Sequence, residues 1–250
     1  MTVLRLAVPA PNELHLARRI GFWDSDTECT VYVTQPTVDP DLWAEYLDGA
    51  SRSYHKHGVE RALELDQIQD GEETILFFAA VDTDGRVVGG VRAKGPLRSA
   101  DDSHAAVEWA GQPGLHAARK MITDRLPFGV VEMKTAWVTD DPGRYRSLTK
   151  TLARTPFPTM NLLDSQFVLA TAGKHVLDRW RSSGGVVAPG VPATPYPDER
   201  YQTKMMWWDR RTFANHAEPE QVSKIFFEMM ALAERSPGLI EVGAQRESRP

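Results

Sequence analysis

The sequence predicts an α+β fold in which a mixed, mostly antiparallel central sheet is flanked by helices and followed by an appended C-terminal helix. The first observation is a β-hairpin. Two β-rich runs within Thr74–Pro96 flank the turn Asp82–Gly85, and Asp-Gly supplies the positive φ that a tight hairpin turn needs. The second is a pair of later apolar runs, Val130–Val138 and Gln166–Thr171, whose length and composition are typical of strands. Helical segments separate these runs, and this order indicates helices packed against one sheet.

The segment before the hairpin contributes a strand between two predicted helices. Asn12 is a helix-capping residue type and begins a short helix predicted to reach Ile20. Glu28–Thr34 is β-branched and alternates in polarity, which predicts a strand, and Cys29 within it is predicted to be a buried free thiol. Prolines then introduce a helix over Asp41–His57.

Behind the hairpin, apolar residues recur at helical spacing in several segments. The predicted helices are Ala100–Ala110, Gly114–Arg125, Arg144–Arg154, Lys174–Ser182 and Glu218–Arg235. Thr155–Pro158 is predicted to end the third of these helices, and a last strand is predicted at Tyr201–Asp209. The apolar stripe of the last helix predicts packing against the domain or against a second copy of the chain. The second alternative would make the protein a homodimer. The predicted divisions are an N-terminal extension at 1–27, the main domain at 28–212, and a C-terminal helix and tail at 213–250.

Composition narrows the functional classes. The 250 residues carry a formal net charge of −5, which argues against general nucleic-acid binding because that activity usually needs a basic surface. No apolar run approaches the roughly 18 residues of a membrane span, and the N-terminus lacks the pattern of a signal peptide. The single cysteine excludes an intramolecular disulfide framework and is typical of a reducing compartment. The sequence therefore predicts a soluble, cytoplasmic protein.

The hairpin and the strand behind it carry a resemblance to a known family. Val131–Val138 reads VEMKTAWV, an apolar run with a carboxylate near its start, and Val81–Arg92 contains RVVGGVR behind an acidic turn. Both segments resemble GNAT superfamily acyltransferases, in particular the branch of acyl-homoserine-lactone synthases and N-acyl amino acid synthases. The strand of that branch reads aromatic-Glu-Leu-Ser-Arg-Phe-x-Val. Glu132 matches the family glutamate, whereas Thr135 stands where the family has an arginine.

The resemblance implies an enzyme that moves an acyl group from a phosphopantetheine thioester to the amine of an amino-acid-like acceptor. It implies that Glu132 deprotonates the attacking amine and that backbone N–H groups at Trp137–Thr139 stabilise the oxyanion. The implied acceptor-binding residues are Glu64, Asp66, Arg92 and Lys134. The strand alone leaves another interpretation open. Strand alternation puts Glu132 and Lys134 on one face, opposite Trp137, where they could form an ion pair in solvent.

A cluster of basic residues follows this strand, where the superfamily holds the phosphates of its donor at a helix N-terminus. Four cations lie within eleven residues: Arg144, Arg146, Lys150 and Arg154. The last three are spaced four residues apart and form a basic stripe along one face of the predicted helix. On an acidic protein this cluster suits an acyl carrier protein as partner, since that protein is acidic. The cluster would suit the phosphates of acyl-CoA nearly as well. A solvated helix face is the alternative. The predicted donor-binding residues are Val138, Thr139, Gly143, Arg144, Arg146 and Lys150.

One further position separates the branches of the superfamily. Its acetyltransferases often place a tyrosine four residues before the glycine that ends the helix here at Gly184, to protonate the departing thiolate. That position holds Trp180, and an indole is a poor acid, which favours the synthase branch. The alternatives are an acetyl-CoA-dependent N-acetyltransferase and a non-catalytic domain that binds an acyl thioester or a partner. No metal site and no permanently bound cofactor are predicted.

Overall fold

An eight-stranded sheet forms the centre of the computed structural model, which describes residues 14–141, 143 and 145–234. The strands are β1 (Ile20–Asp24), β2 (Cys29–Thr34), β3 (Leu76–Asp82), β4 (Val87–Lys94), β5 (Val130–Val138), β6 (Phe167–Gly173), β7 (Val186–Val187) and β8 (Thr203–Asp209). Their order across the sheet is β1-β2-β3-β4-β5-β6-β8-β7, and β5 with β6 is the parallel pair among antiparallel neighbours. The predicted mixed, mostly antiparallel sheet is confirmed.

Helices cover both faces of the sheet. They are α1 (Pro40–His57), α2 (Leu65–Ile68), α3 (Ala105–Glu108), α4 (Leu115–Thr123), α5 (Tyr145–Arg154), α6 (Pro156–Leu162), α7 (Leu177–Arg181) and α8 (Pro219–Glu234). Helices α1 to α4 cover the face on which Phe77 and Trp207 are buried. Helices α5 to α8 cover the opposite face, where Phe78 and Trp208 are buried. Because neighbouring strand residues point to opposite faces, each face contributes its own apolar core.

The ends of α1 follow from the residues placed there. The Asp39 carboxylate accepts a hydrogen bond from the Leu42 N–H at 3.2 Å, and Pro40 occupies the first turn, where its missing N–H leaves no bond unmade. Gly58 ends the helix with φ of 62°, in the left-handed region that favours glycine. This helix buries Tyr46 next to β5, at the place where the sheet opens.

Several elements differ from the sequence prediction. Residues 14–19 are not helical, and Ile20 begins β1, which joins the sheet from within the segment predicted to be an extension. Pro156 begins α6 instead of ending the helical run, because proline is tolerated in the first turn of a helix. The predicted helix Ala100–Ala110 is divided into a 3₁₀ turn at Ala100–Asp102 and the short α3. The short strand β7 has no counterpart in the prediction.

The C-terminal helix α8 packs against the domain. Ile225 and Leu232 are buried in the core beneath α5 to α8. Phe226 and Met230, which belong to the same predicted stripe, are exposed. Packing on the domain, one of the two predicted alternatives, therefore accounts for part of the stripe. The predicted burial of Cys29 in β2 is confirmed.

Candidate active site

Strands β5 and β6 separate halfway along their length and open the sheet. They pair over Val130–Met133 and Phe167–Ala170. Beyond that point β5 stays paired with β4 as far as Val138, whereas β6 stays paired with β8 as far as Gly173. A cavity of about 470 Å³ lies in this gap, within the size range of small-molecule sites. The middle of the sheet is therefore open to a ligand.

A backbone bulge marks the part of β5 that lines the cavity. Thr135 has φ of 54°, an outlier for a β-branched residue, and the pairing with β4 shifts between Gly90 and Arg92. The Tyr46 hydroxyl donates to the Thr135 carbonyl at 2.6 Å, and Arg92 Nε donates to the Thr135 hydroxyl at 3.2 Å. Burial raises the pKa of Tyr46 well above its ordinary value, so its hydroxyl remains a donor. Strained backbone of this kind persists where the surrounding structure holds it.

The bulge also reverses the alternation of side chains along β5. Simple alternation predicts Trp137 on the same face as Met133, opposite Glu132. In the structure Trp137 packs against Tyr46 of α1, with ring centroids 6.3 Å apart, and so lies on the Glu132 face. The predicted alternation is therefore wrong beyond Thr135, because the bulge inserts one extra residue.

Tyr46→Phe is expected to destabilise the protein by about 1–3 kcal/mol, because it leaves the buried Thr135 carbonyl without its donor. Urea unfolding measures the change in free energy. The matched control is Tyr32→Phe on β2, away from the cavity, which we expect to change stability by less than about 0.5 kcal/mol. Equal stabilities of the two variants would show that the Tyr46 hydroxyl does not hold the bulge.

The cavity crosses the sheet and has a different lining on each face. On the face of α5 to α8 its walls are largely apolar: Leu152, Ala170, Ala172, Trp180 and Trp208. On the face of α1 to α4 its walls carry polar groups: Tyr54, His57, Glu108, Lys134, Thr171 and Tyr196. We call these the apolar half and the polar half. The apolar half suits a hydrocarbon chain, and the polar half suits a charged or hydrogen-bonding group.

Glu108, at the end of α3, supplies the carboxylate of the polar half. Its Oε1 accepts hydrogen bonds from Lys134 Nζ at 2.7 Å and from the Thr171 hydroxyl at 2.8 Å. Its Oε2 is buried and has no hydrogen-bond partner among the described residues. The side chain is 1% exposed, and a buried carboxylate oxygen without a donor is costly. The site therefore offers an unfilled acceptor position to a ligand that brings a donor, such as an ammonium group.

His104, just before α3, connects the polar half to the surface. Its Nδ1 lies 2.9 Å from Glu64 Oε2, and its Nε2 lies 2.9 Å from the Tyr196 hydroxyl and 3.7 Å from Glu108 Oε1. Burial, reinforced by the nearby charge of Lys134, lowers the pKa of His104 to about 2, so the imidazole is neutral. Burial also raises the pKa of Glu64 and of Tyr196 above their ordinary values.

Glu132, the predicted base, is fully buried outside the cavity wall, at 0% exposure. Its Oε2 accepts a hydrogen bond from the His104 N–H at 2.8 Å, and its Oε1 accepts one from the Ala105 N–H at 3.3 Å. Amides at the start of a helix lack intrahelical partners, so Glu132 caps α3. Burial raises its pKa. The alternative surface pair with Lys134 is not formed, because Lys134 binds Glu108.

The four predicted acceptor-binding residues are divided between the cavity and its surroundings. Lys134 lines the cavity. Glu64 does not line the cavity but contacts His104, which in turn contacts the cavity residue Tyr196. The buried Arg92 donates to Thr135 and so holds the bulge. Asp66 is exposed on α2 and does not line the cavity. Of the two acids in the predicted acceptor segment, Glu64 thus supports the polar half through His104 and Asp66 does not.

The predicted oxyanion segment lies partly in the cavity wall. Trp137 and Val138 line the cavity. The indole Nε1 of Trp137 is buried and has no hydrogen-bond partner among the described residues. The Thr139 N–H donates to the Val88 carbonyl at 2.7 Å and is therefore already used. The Trp137 indole N–H is therefore a donor of this segment that no described residue satisfies, on a residue that lines the cavity.

The predicted basic stripe is incomplete. Arg154 is 2% exposed and is withdrawn from the surface, where its Nε donates to Glu228 at 2.7 Å and its Nη1 to Gln221 at 2.9 Å. Lys150 is exposed but pairs with Glu218 at 3.0 Å. Arg144 lies outside the described residues. Donor contacts of three exposed residues outside the cavity wall stay predictions: Gly143, Arg146 and Lys150.

Sequence reasoning missed Glu108 and Tyr196 of the polar half, and it missed His104, which lies next to them. Glu108 carries a signal that could have found it, since it is the charged residue in the otherwise apolar run Ala105–Ala110. A lone acid in such a run is costly to bury unless it is paired or functional. Tyr196 lies in a proline-rich loop that carries no local pattern.

Three mycobacterial proteins are closely similar to the chain. They are Rv1356c and MT1399 of Mycobacterium tuberculosis and Mb1391c of Mycobacterium bovis, all named as uncharacterized proteins. Each is 58% identical over 232 residues, covering 93% of this chain and 88% of the relative. The chain belongs to their family. No family model matches the sequence.

Solved structures with this sheet identify the fold. LasI, an acyl-homoserine-lactone synthase, has a TM-score of 0.56 at 13% identity over 78% of this chain and 99% of its own. FeeM, an N-acyl amino acid synthase from uncultured soil microbes, has a TM-score of 0.54 at 8% identity over 78% and 97%. BjaI, a CoA-dependent acyl-homoserine lactone synthase, has a TM-score of 0.51 at 17% identity over 80% and 99%. The chain therefore has the GNAT fold. None of its described helices has the length and apolar character to cross a membrane.

Proposed function

We propose that the protein is an N-acyltransferase that moves an acyl group from acyl-CoA to the amine of a small, amino-acid-like acceptor. The observation that carries the proposal is Glu108, whose unfilled Oε2 belongs to the polar half of a cavity that crosses the opened sheet. An ammonium group would supply the donor that this oxygen lacks, at the charge-assisted strength of such a bond. The acyl thioester would lie in the gap between β5 and β6.

The proposed reaction places each group in turn. The acceptor ammonium binds Glu108 and loses a proton, because only the neutral amine is a nucleophile. The amine nitrogen attacks the thioester carbonyl, and negative charge develops on the carbonyl oxygen. The buried indole N–H of Trp137, which lacks a partner among the described residues, would donate to that oxyanion. The C–S bond then breaks as a proton of the attacking nitrogen passes to the sulfur, and the amide and the free thiol leave.

Acyl-CoA is the proposed donor in preference to an acyl carrier protein. A carrier protein is acidic and would need a broad basic surface. Burial of Arg154 and pairing of Lys150 with Glu218 leave Arg146 as the described cation of the predicted stripe that remains available. The shared fold with the CoA-dependent synthase BjaI supports the same choice.

The apolar half supports an acyl chain longer than acetyl. Its lining by Leu152, Ala172 and Trp208 would bury a hydrocarbon chain, which is favourable at about 0.8 kcal/mol per methylene. An acetyl group would leave this half unfilled. The predicted acetyl-CoA-dependent enzyme and the non-catalytic domain therefore become outcomes of the test.

The test incubates the purified protein with short-, medium- and long-chain acyl-CoA and a mixture of the common amino acids. Mass spectrometry detects N-acyl products, and a thiol reagent measures released CoA. We expect N-acyl amino acids with medium or long chains. Product from acetyl-CoA alone would support the N-acetyltransferase instead. Binding of acyl-CoA without product would support the non-catalytic domain, and turnover with acyl carrier protein alone would overturn the choice of donor.

Ala172→Trp is expected to abolish acyl-CoA binding, because an indole on β6 would fill the apolar half of the cavity. Acyl-CoA at about 100 times its Kd stabilises the native protein by roughly 2.7 kcal/mol and raises its melting temperature. We expect this rise in the unmodified protein and its loss in Ala172→Trp. Ser223→Trp, which adds the same side chain at an exposed position on α8, is the matched control. An undiminished rise in Ala172→Trp would place the acyl chain elsewhere.

A further inference from the structure

Tyr196, His104 and Glu64 form a continuous line of hydrogen-bonding groups from the cavity to the surface. Tyr196 lines the cavity, and its hydroxyl lies 2.9 Å from His104 Nε2. The other imidazole nitrogen, Nδ1, lies 2.9 Å from Glu64 Oε2. The exposed fraction of the side chain is 7% for His104 and 22% for Glu64. The line therefore starts at the ligand space, passes through a buried imidazole and ends at a carboxylate in contact with solvent.

The chemistry of the three groups sets the directions of their hydrogen bonds. An ionised carboxylate only accepts, so His104 Nδ1–H donates to Glu64. The neutral imidazole then has Nε2 as its acceptor, and the Tyr196 O–H donates to it. The pKa of His104, lowered to about 2 by burial, and that of Tyr196, raised by burial, agree with a neutral ring and a protonated phenol. Each proton in the line thus points outward.

Acylation of an ammonium group must release a proton. An ammonium ion and a thioester give an amide, a thiol and one proton, and at a carboxylate as buried as Glu108 that proton needs a path to solvent. We propose that Tyr196, His104 and Glu64 relay this proton from the acceptor amine to the surface. The inference rests on the proposed function and adds to it the residues that carry the proton.

The transfer balances at every atom. A proton leaves the ammonium nitrogen and bonds to the Tyr196 oxygen, while the original phenol proton moves to His104 Nε2. The proton on Nδ1 moves to Glu64 Oε2, and Glu64 releases it to water. The chain of groups ends with its starting charges, and exchange of the imidazole protons with water restores the starting tautomer. The lone pair left on the amine nitrogen attacks the thioester.

The charges around His104 favour a concerted relay. Glu64, Tyr196 and Glu108 lie next to its ring, Glu132 accepts from its backbone N–H, and the charges of Lys134, Lys94 and Arg92 act on the ring. Tyr196 is also influenced by Tyr54 and Arg61. Three cations near the ring oppose an imidazolium ion. The proton therefore passes through His104 as another leaves it, and does not rest there.

The experiment compares the unmodified protein with Tyr196→Phe, His104→Gln and His104→Ala in the acyl-transfer assay. Tyr196→Phe and His104→Gln are expected to lower kcat by roughly 10²-fold, the usual contribution of a positioned proton carrier. Imidazole added to His104→Ala is expected to restore the rate in proportion to its concentration. In mixtures of H₂O and D₂O, a plot of kcat against the fraction of D₂O is expected to be curved for the unmodified protein, because several protons move together. The same plot is expected to be a straight line for Tyr196→Phe.

A second cavity tyrosine provides the matched comparison. Tyr201 lines the cavity, but its hydroxyl faces the His57 carbonyl at 3.5 Å and has no part in the relay. Tyr201→Phe is expected to keep the curved dependence on D₂O. Tyr196→Phe retains the ring that packs edge-on against His104 at 5.6 Å, so it tests the relay even where a His104 variant fails to fold.

Three results would overturn the proposal, each in a different way. Equal kcat and equal D₂O dependence in Tyr196→Phe and the unmodified protein would overturn the relay alone. Absence of N-acyl product with every acyl-CoA and amino acid would overturn the acyl transfer and the relay with it. A loss of rate in His104→Ala that imidazole does not restore, at an unchanged melting temperature, would assign His104 a structural role.

Discussion

Glu108→Gln is expected to lower kcat/KM for acyl transfer about 10²-fold or more, with the larger part in KM for the amine. The proposed bond between the acceptor ammonium and Glu108 Oε2 is charge-assisted and buried, and removing one partner of such a pair costs about 2–5 kcal/mol. An amide keeps the shape but loses the charge. Binding of acyl-CoA, measured by the rise in melting temperature, is expected to persist, because the donor occupies the apolar half.

Glu132→Gln is the matched control for this prediction. Its carboxylate caps α3 through two backbone amides, one on each oxygen, and glutamine can accept from only one of them. We expect a loss of stability of about 1–3 kcal/mol with little change in KM for the amine. A larger kinetic loss in Glu132→Gln than in Glu108→Gln, at equal folded fraction, would restore Glu132 as the base and refute the assignment to Glu108.

Much of the fold could be predicted because its signals are local. Val130–Val138 was predicted with the bounds that β5 has in the structure, since an apolar β-rich run between polar turns is unambiguous. The hairpin of β3 and β4 follows from Asp-Gly in its turn. Strand β1 was missed because its sequence, IGFWD, is short and begins at Ile20, the last residue of the helix that Asn12 was predicted to cap. Pro156 was misinterpreted because proline ends one helix and begins the next with equal ease.

The site was harder to predict because it is assembled from distant segments. Glu108 meets Lys134 and Thr171, and His104 meets Tyr196, through contacts that no local pattern encodes. Strand alternation predicted the face of Glu132 correctly. The bulge at Thr135 then shifted the alternation by one residue, so the predicted face of Trp137 was wrong. The family resemblance pointed to Val131–Val138, and in the structure this strand borders the gap. The structure, however, provides a different carboxylate at the gap, on α3.

The basic stripe shows how charge can mislead. Three regularly spaced cations on α5 suggested a surface for an anionic partner. Arg154 instead turns inward, where two carboxylates face its guanidinium: Glu228 at 2.6 Å and Asp24 at 3.6 Å. Asp24 also accepts a hydrogen bond from Thr151 at 2.6 Å. This buried cluster joins β1, α5 and α8, so Arg154, which the sequence placed in a basic surface cluster, instead holds the two ends of the domain together.

Arg154→Met is expected to destabilise the protein by about 3–5 kcal/mol near pH 8, because it leaves the buried carboxylates of Asp24 and Glu228 without their cation. Urea unfolding followed by circular dichroism measures the change. The matched control is Lys150→Met on the same helix. Lys150 forms an exposed pair with Glu218, and such pairs contribute about 1 kcal/mol or less. Equal losses in the two variants would refute the stabilising role of the buried cluster.

The pH dependence distinguishes lost charge from lost packing. Burial raises the pKa of Glu228 from its ordinary value of 4.5 to about 7, although Arg154 opposes the rise. Because the folded pKa exceeds the unfolded one, this group contributes stability that is fully present below about pH 4.5 and is lost as the pH rises through about 7. Without Arg154 the pKa rises further, so the destabilisation by Arg154→Met should be smaller at pH 5 than at pH 8. Combining it with Glu228→Gln should flatten this dependence. A loss that is equal at both pH values would instead assign the effect to the packing of the arginine side chain.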